Sequence, residues 1–330
     1  MPKPGDSSLD TVQKKKERVA MLSVASNSVL VVFKATAGAL IGSVSIISEA
    51  IHSGMDLLAA VIAFFAVRKS HAPADKQHPF GHGKLESISG LVEVGLIFIA
   101  AVWIIFEAFK KFSTAGEVEQ PGWGVAVMLV SAIVNIFVSR KMFVVGAKTD
   151  SLALQADAWH LRTDVYTSAG VMASLAIIWG GGFFFPGVSL QWLDPAAAVI
   201  VAVIIMKAAW NLTARAVGDL MDMKLPYDEE QWIRTAISSL GNKLCGYHQL
   251  KTRKAGNFRF IEFHIKVDPQ MTVETSHRIA HELKRLMRKK FPLSATTVHI
   301  EPCDGHCTKE CLDGCFVPER QRPAPIRRDG

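Results

Sequence analysis

Two stretches carry residues spaced for metal chemistry. Glu49-Ala-Ile-His52-Ser-Gly-Met-Asp56 and Asp157-Ala-Trp-His160-Leu-Arg-Thr-Asp164 both read acid, two residues, His, three residues, Asp. Both lie inside apolar segments. On a helix, positions i, i+3 and i+7 share one face, so each segment presents an acid, an imidazole and a second acid along one stripe. Ionisable side chains inside a membrane segment are costly and mark ion pathways. The two His-x-x-x-Asp pairs offer two nitrogens and two oxygens, a four-ligand shell suited to a borderline divalent ion, most naturally Zn2+. Helix–helix hydrogen bonds without a metal are the plainer use of such residues, but packing alone does not demand the matched spacing. Glu49 and Asp157, one turn before each His, suit a supporting or relay role.

Two further constellations follow. Asp75, His78 and His82 fall within eight residues, and Pro79, Gly81 and Gly83 break a simple helix there and permit a tight turn. An oxygen and two imidazoles can hold a divalent ion with a fourth position open; the alternative is a polar loop with incidental His. In the C-terminal third stand His248, His264, His277 and His299, with Glu301 two residues beyond the last. They read as a metal cluster or as surface imidazoles. Cys303, Cys307, Cys311 and Cys315 then repeat at Cys-x3-Cys spacing, unlike the Cys-x2-Cys of a zinc knuckle. This segment either binds a soft metal or is a flexible polar tail, and 318–330 reads as disordered.

The elements that must position these residues divide sharply. Residues 19–214 carry six apolar runs, at 19–41, 44–67, 85–109, 123–145, 152–180 and 194–213. A membrane-spanning helix needs roughly 20 such residues. Residues 1–18 are a polar, basic tail without the apolar core of a cleavable signal peptide. Lys14, Lys15, Lys16, Arg18, Arg68, Lys69, Lys76, Lys84, Arg140, Lys141, Lys148, Arg215 and Lys224 all fall on one side of the spans; Lys110 and Lys111 face the other. The basic side is expected to be cytoplasmic, and with it both termini. The net charge of +7 is mostly this topology signal and gives no reason to invoke nucleic acid. All five Cys fall in the cytoplasmic part, where thiols stay reduced.

From 221 to 302 the pattern is that of a soluble domain, with the Cys-rich tail at 303–330. An acidic first turn opens a helix at 226–240, strands at 247–254 and 258–267 flank an Ala-Gly-Asn turn, a helix spans 273–291 and a last strand 296–301. Ile261, Phe263, Ile265 and Val267 alternate with Glu262, His264 and Lys266, which puts His264 off the core face. The order αββαβ suggests a small α+β sandwich with its helices on one sheet face. A domain this small has a marginal core, which favours association with a second copy. A membrane metalloenzyme is the rival reading. Against it, His-Glu-x-x-His is missing and protein ligands fill all four metal positions, leaving none for a catalytic water.

Taken together, Gly42-Ser-Val-Ser, His52-x-x-x-Asp56, Asp75-x-x-His78-x-Phe-Gly-His82-Gly-Lys84-x-Glu86, His160-x-x-x-Asp164 and the C-terminal His pattern resemble the cation diffusion facilitator family, bacterial zinc/iron efflux type. The likeness runs from about residue 19 to 303. It implies a homodimer in the lipid of a bacterial inner (plasma) membrane, six spans per protomer, and a cytoplasmic metallochaperone-like domain. It implies no enzyme but an exporter of a divalent metal, with Zn2+ as cargo and regulator and protons as counter-ion. The transport site would be His52, Asp56, His160 and Asp164, the loop site Asp75, His78 and His82. The cytoplasmic site would be His248, His264, His277, His299 and Glu301, bridging a dimer interface. An interlocking charge pair would fall on Lys84 and Asp222. Two positions depart from the pattern. His52 replaces an Asp of the iron/zinc relatives and resembles the zinc-selective members; Glu301 stands where Asp is common. Export of Fe2+, Mn2+, Co2+ or Cd2+, or a non-transporting metal sensor of the same fold, are the alternatives.

Overall fold

The computed structural model describes residues 7–41, 44–113, 123–184, 192–304 and 309–322. They form two compact units, divided after Leu220. The first holds six long helices: α1 (Ser7–Ile41), α2 (Val44–Ser70), α3 (Lys84–Ser113), α4 (Trp123–Lys148), α5 (Leu152–Phe184) and α6 (Leu193–Leu220). Among the described residues, five of them are long and apolar enough to cross a membrane. The sixth, α5, has the length at 33 residues, and its second half, 165–184, carries no charged side chain. In lipid a helix satisfies its own backbone, so long apolar runs fold this way.

Small residues set the helix approaches. Ala20 and Val67 pack with Met142, Ala153 and Ala158 across α1, α2, α4 and α5; Val94, Ile97 and Ala101 of α3 meet Ala156, Ile205 and Ala209 of α5 and α6. Close approach through Ala is how helices gain dispersion contacts where lipid is as apolar as the partner. Trp103, Phe106 and Trp210 face outward.

At the end where α2 gives way to α3 the bundle is tied by polar groups. The Lys16 ammonium, only 1% exposed, pairs with Glu86, which also accepts from Ser70 Oγ (2.8 Å) and from Ser151 Oγ. Gln13 Nε2 donates to Val67 O at 2.9 Å. The stretch before the first span is therefore no loose tail: α1 begins at Ser7, and Lys16 carries the counter-charge of the buried Glu86.

The second unit runs α7 (Tyr227–Ser238), β1 (Gly246–Ala255), β2 (Phe258–Val267), α8 (Val273–Lys290) and β3 (Ser294–Pro302), the expected αββαβ order. The sheet order is β1-β2-β3, with β1 antiparallel and β3 parallel to β2. Gly256, at φ +60°, makes the hairpin turn that a side chain would strain. Ile261, Phe263 and Ile265 are buried with Ile233, Ile237, Leu283 and Met287 of the helices. Thr272 caps α8 by accepting from Thr275 N at 3.3 Å.

The Cys-rich segment differs from both a free tail and a disordered end. Helix α9 (Lys309–Asp313) and the residues after it return to β1, where Tyr247 N donates to Gly314 O (3.0 Å) and Phe316 N to Cys245 O (2.9 Å). Residues 319–321, expected to be disordered, form a 3-10 turn, and Arg322 Nε donates to Val317 O at 2.8 Å. Unpaired strand edges attract partners, and here the chain covers its own. Cys307 and residues 323–330 lie outside the described residues.

Candidate metal centres

Helix α2 presents His52 and Asp56 one turn apart, and α5 presents His160 and Asp164 likewise. The pairs interlock across the two helices. His160 Nε2 lies 2.9 Å from Asp56 Oδ1, and His52 Nε2 lies 3.7 Å from Asp164 Oδ1 and 3.9 Å from Asp56 Oδ1. Ligand atoms of His52, Asp56 and Asp164 all fall within 4.8 Å of one another. Asn135 of α4 donates to Asp164 Oδ2 at 3.4 Å, a partner sequence reading missed although a lone Asn in an apolar run was its signal. His52, Asp56 and Asp164 line a cavity of about 190 Å³, together with Lys34, Ser131, Asn135, Thr167 and Ser168. Its lining comes from the later part of α1, the first halves of α2 and α4, and α5; the Lys16–Glu86 network lies toward the other end of α1, where α3 begins. Lys34 Nζ donates to Ser53 Oγ at 2.8 Å beside the site.

Of the two suggested relay acids, Asp157 is fully buried on α5, and the side chain of Glu49 lies outside the described residues. Glu93 of α3 is equally buried; Ser89 donates to its Oε1 at 3.3 Å, and its Oε2 has no hydrogen-bond partner among the described residues.

Asp75, His78 and His82 meet in the α2–α3 loop. Asp75 Oδ1 is 3.3 Å from His78 Nδ1, and its Oδ2 is 3.3 Å from His82 Nε2. Gly81 takes φ +84°, and its N–H donates to His78 O at 2.9 Å, closing the turn that brings the imidazoles to 4.5 Å. The His78 N–H, donating to Asp75 Oδ1 at 2.6 Å, holds the Asp75 carboxyl below its usual range against a small opposing effect of burial.

In the second unit, sheet register places His248 opposite His264 and His264 opposite His299. An irregularity between His248 and Lys251, with Gln249 at φ +50°, shifts the register just after His248. The three imidazoles thus form a row on the helix-free face. Glu301 reaches His264 Nδ1 at 2.7 Å, His248 Nε2 at 3.0 Å and His299 Nε2 at 3.8 Å. Lys266 Nζ adds a contact at 2.9 Å to Glu301 Oε2. Burial works to raise the Glu301 carboxyl, but hydrogen bonds from Lys266, His264 and His248 outweigh it and bring it down to about 2. His277 is not gathered here: it lies on α8 beside His281, ring centroids 4.5 Å apart. Lys84 Nζ donates to Leu220 O at 3.1 Å, satisfying a carbonyl at the end of α6, while Arg253 donates to Asp222 at 3.3 Å.

These two units coincide with two family patterns. Residues 20–221 match the cation efflux transmembrane domain and residues 225–303 the cytoplasmic domain of cation efflux proteins. The chain belongs to the cation efflux family. An uncharacterized transporter of Synechocystis sp. is 32% identical over 310 residues, covering 94% of this chain and 96% of the relative. The cation-efflux pump FieF of Serratia proteamaculans is 31% identical over 284 residues, covering 86% and 92%. A solved chain named CzrB, described as a candidate zinc transporter, is 38% identical over 24% of this chain and 96% of its own, with a TM-score of 0.23. As a cation efflux protein the molecule is an integral membrane transporter with a cytoplasmic domain, and the helical unit carries the transport function.

Proposed function

We propose that this cation efflux protein exports Zn2+ in exchange for protons at His52, Asp56, His160 and Asp164. The observation that carries the proposal is the interlocking of the two His–Asp pairs beside a cavity, His160 to Asp56 at 2.9 Å and His52 to Asp164 at 3.7 Å. Without cargo, each imidazole faces a carboxylate of the other helix. Protons on the imidazoles strengthen these contacts. A divalent cation replaces them with bonds to the same four side chains. Cargo and protons therefore compete for one set of ligands, which is the linkage an antiporter needs. Imidazole in water titrates near pH 6.5, so modest pH differences suffice to shift that competition. Two nitrogens and two carboxylate oxygens favour Zn2+ over harder ions, though ligand type ranks metals without excluding them.

The cavity and the closed Lys16–Glu86 end together support an outward-open arrangement, with both termini cytoplasmic in a lipid bilayer. The cytoplasmic unit acts as a metal-sensing dimerisation domain: its imidazole row stands on the sheet face not covered by helices. A second copy placed there would add ligands, His277 among them, and metal binding would bias the membrane unit if the two arrangements differ in affinity. Asp75, His78 and His82 form an accessory loop site.

The test is flux of Zn2+, Mn2+, Fe2+, Co2+ and Cd2+ into reconstituted vesicles carrying an imposed pH gradient. Gradient-driven Zn2+ movement exceeding that of the other ions supports the proposal. Gradient-driven Mn2+ or Fe2+ movement without Zn2+ would overturn the choice of metal, and movement of no ion would leave the sensor reading.

A further inference from the structure

Four cysteines of the described residues come from three separate stretches: Cys245 before β1, Cys303 after β3, and Cys311 and Cys315 in the tail. The sheet topology explains why they meet. β1 runs against β2 and β3 runs with it, so the start of β1 and the ends of β2 and β3 share one end of the sheet. Cys245 N donates to Lys266 O and Cys303 N to Val267 O, both at 2.8 Å, on consecutive residues of β2. The two bonds seat Cys245 and Cys303 on either side of the last residues of β2.

The tail closes from the other side. Cys315 bridges to Gly246, the residue after Cys245. A Cβ at Gly246 would meet Gly314 O at 2.8 Å and Cys315 Cα at 3.1 Å, so the absent side chain is what admits the tail. Cys311, 7% exposed, lies on α9, which packs against β1. A buried Cys is often a small hydrophobe. These cysteines instead lie at the end of the sheet that carries Lys266, whose Nζ is 2.9 Å from Glu301 and 3.9 Å from Asp304.

We propose that Cys245, Cys303 and Cys315, with Cys311 as the fourth ligand, form a thiolate site for Zn2+ or Cd2+ that pins the C-terminal tail to β1. Four thiolates from converging segments make a closed tetrahedral shell, the form of a structural rather than a transported ion. Among the described residues the sulfurs are less tightly gathered than the three imidazole–carboxylate groups. Binding thus draws the sulfurs closer around a tail that its backbone hydrogen bonds already seat on β1. The site is independent of the transport reading, since it uses none of that site's residues.

The experiment uses the reduced, full-length protein in detergent, with Co2+ as a spectroscopic probe. Wild type should develop the near-ultraviolet sulfur-to-cobalt charge-transfer band. Zn2+ or Cd2+ should abolish that band and shield the thiols from an aromatic disulfide reagent. C245S and C303S should each lose the band, and H248A should keep it. The wild-type readouts do not depend on any variant folding. Absence of the band in wild type overturns the proposal, as does a band that survives C245S. Recovery of a Cys245–Cys303 disulfide from protein that, once reduced, takes up no metal also overturns it.

Discussion

The helical and the cytoplasmic units both gather imidazoles around carboxylates, yet they balance charge differently. In the helical unit, Asp56 and Asp164 face imidazoles across two helices, and Asn135 adds a neutral donor. In the cytoplasmic unit, Glu301 already holds a fixed cation, Lys266, at 2.9 Å. On the proposed transport reading, protons or a divalent ion balance the two carboxylates, with the Lys34 ammonium held by Ser53 beside them, which suits turnover. The second is stable without either, so a metal there competes with Lys266, which suits a threshold response. Scaffold follows the same division. Two packed helices carry the first site; three hydrogen-bonded strands carry the second.

The largest effect should separate the units outright. Asp164→Ala should reduce metal flux in vesicles to background, whereas Glu301→Ala should leave flux and remove only its response to metal concentration. Equal loss in both variants would erase the distinction. Next, Lys16→Met should strand the buried Glu86 carboxylate and cost about 3–5 kcal/mol, read as a lowered unfolding midpoint in detergent. Pairing it with Glu86→Gln should restore most of that loss.

How much of this was legible in the sequence follows from the range of each interaction. The spans and the αββαβ order were readable because apolar runs and the Ile261–Val267 alternation are local patterns. The His–Asp pairs were readable because i, i+4 spacing fixes a helix face wherever the helix goes. Asn135 as partner of Asp164, Lys266 on Glu301, and Lys16 under Glu86 were not, since each joins elements far apart in sequence. The flexible alternative for the tail fails for the same reason: its polar, Gly-containing composition suggests looseness, and only the open edge of β1 beside Gly246 gives it a place. His277 stood out as one His among several, but α8 carries it on a different layer from the imidazole row.

Smaller effects sharpen the comparison. Asn135→Ala should weaken Zn2+ binding at the helical site by about 10–100-fold, measured by competition with a chromophoric chelator. Lys266→Met should tighten metal binding at the cytoplasmic site only about 2–5-fold, because the ion pair it removes is partly exposed. Acid should act through Glu301. Its carboxyl is depressed from 4.5 to about 2, so its contribution to stability is complete above pH 4.5 and lost as pH falls toward 2. Hydrogen exchange of the β2 and β3 amides should quicken across that window in wild type and lose this dependence in Glu301→Gln.

The most direct test of shared ligands for cargo and protons is proton release on Zn2+ binding. It is measured in weakly buffered detergent solution, with the wild-type membrane site compared to the His52→Ala/His160→Ala variant, both on a background lacking His78, His82, His248, Glu301, Cys245 and Cys303. Wild type should release protons as Zn2+ binds, in an amount that falls as pH rises through the imidazole range, and the variant should release none. Undiminished release by the variant would place the protons elsewhere and contradict the account.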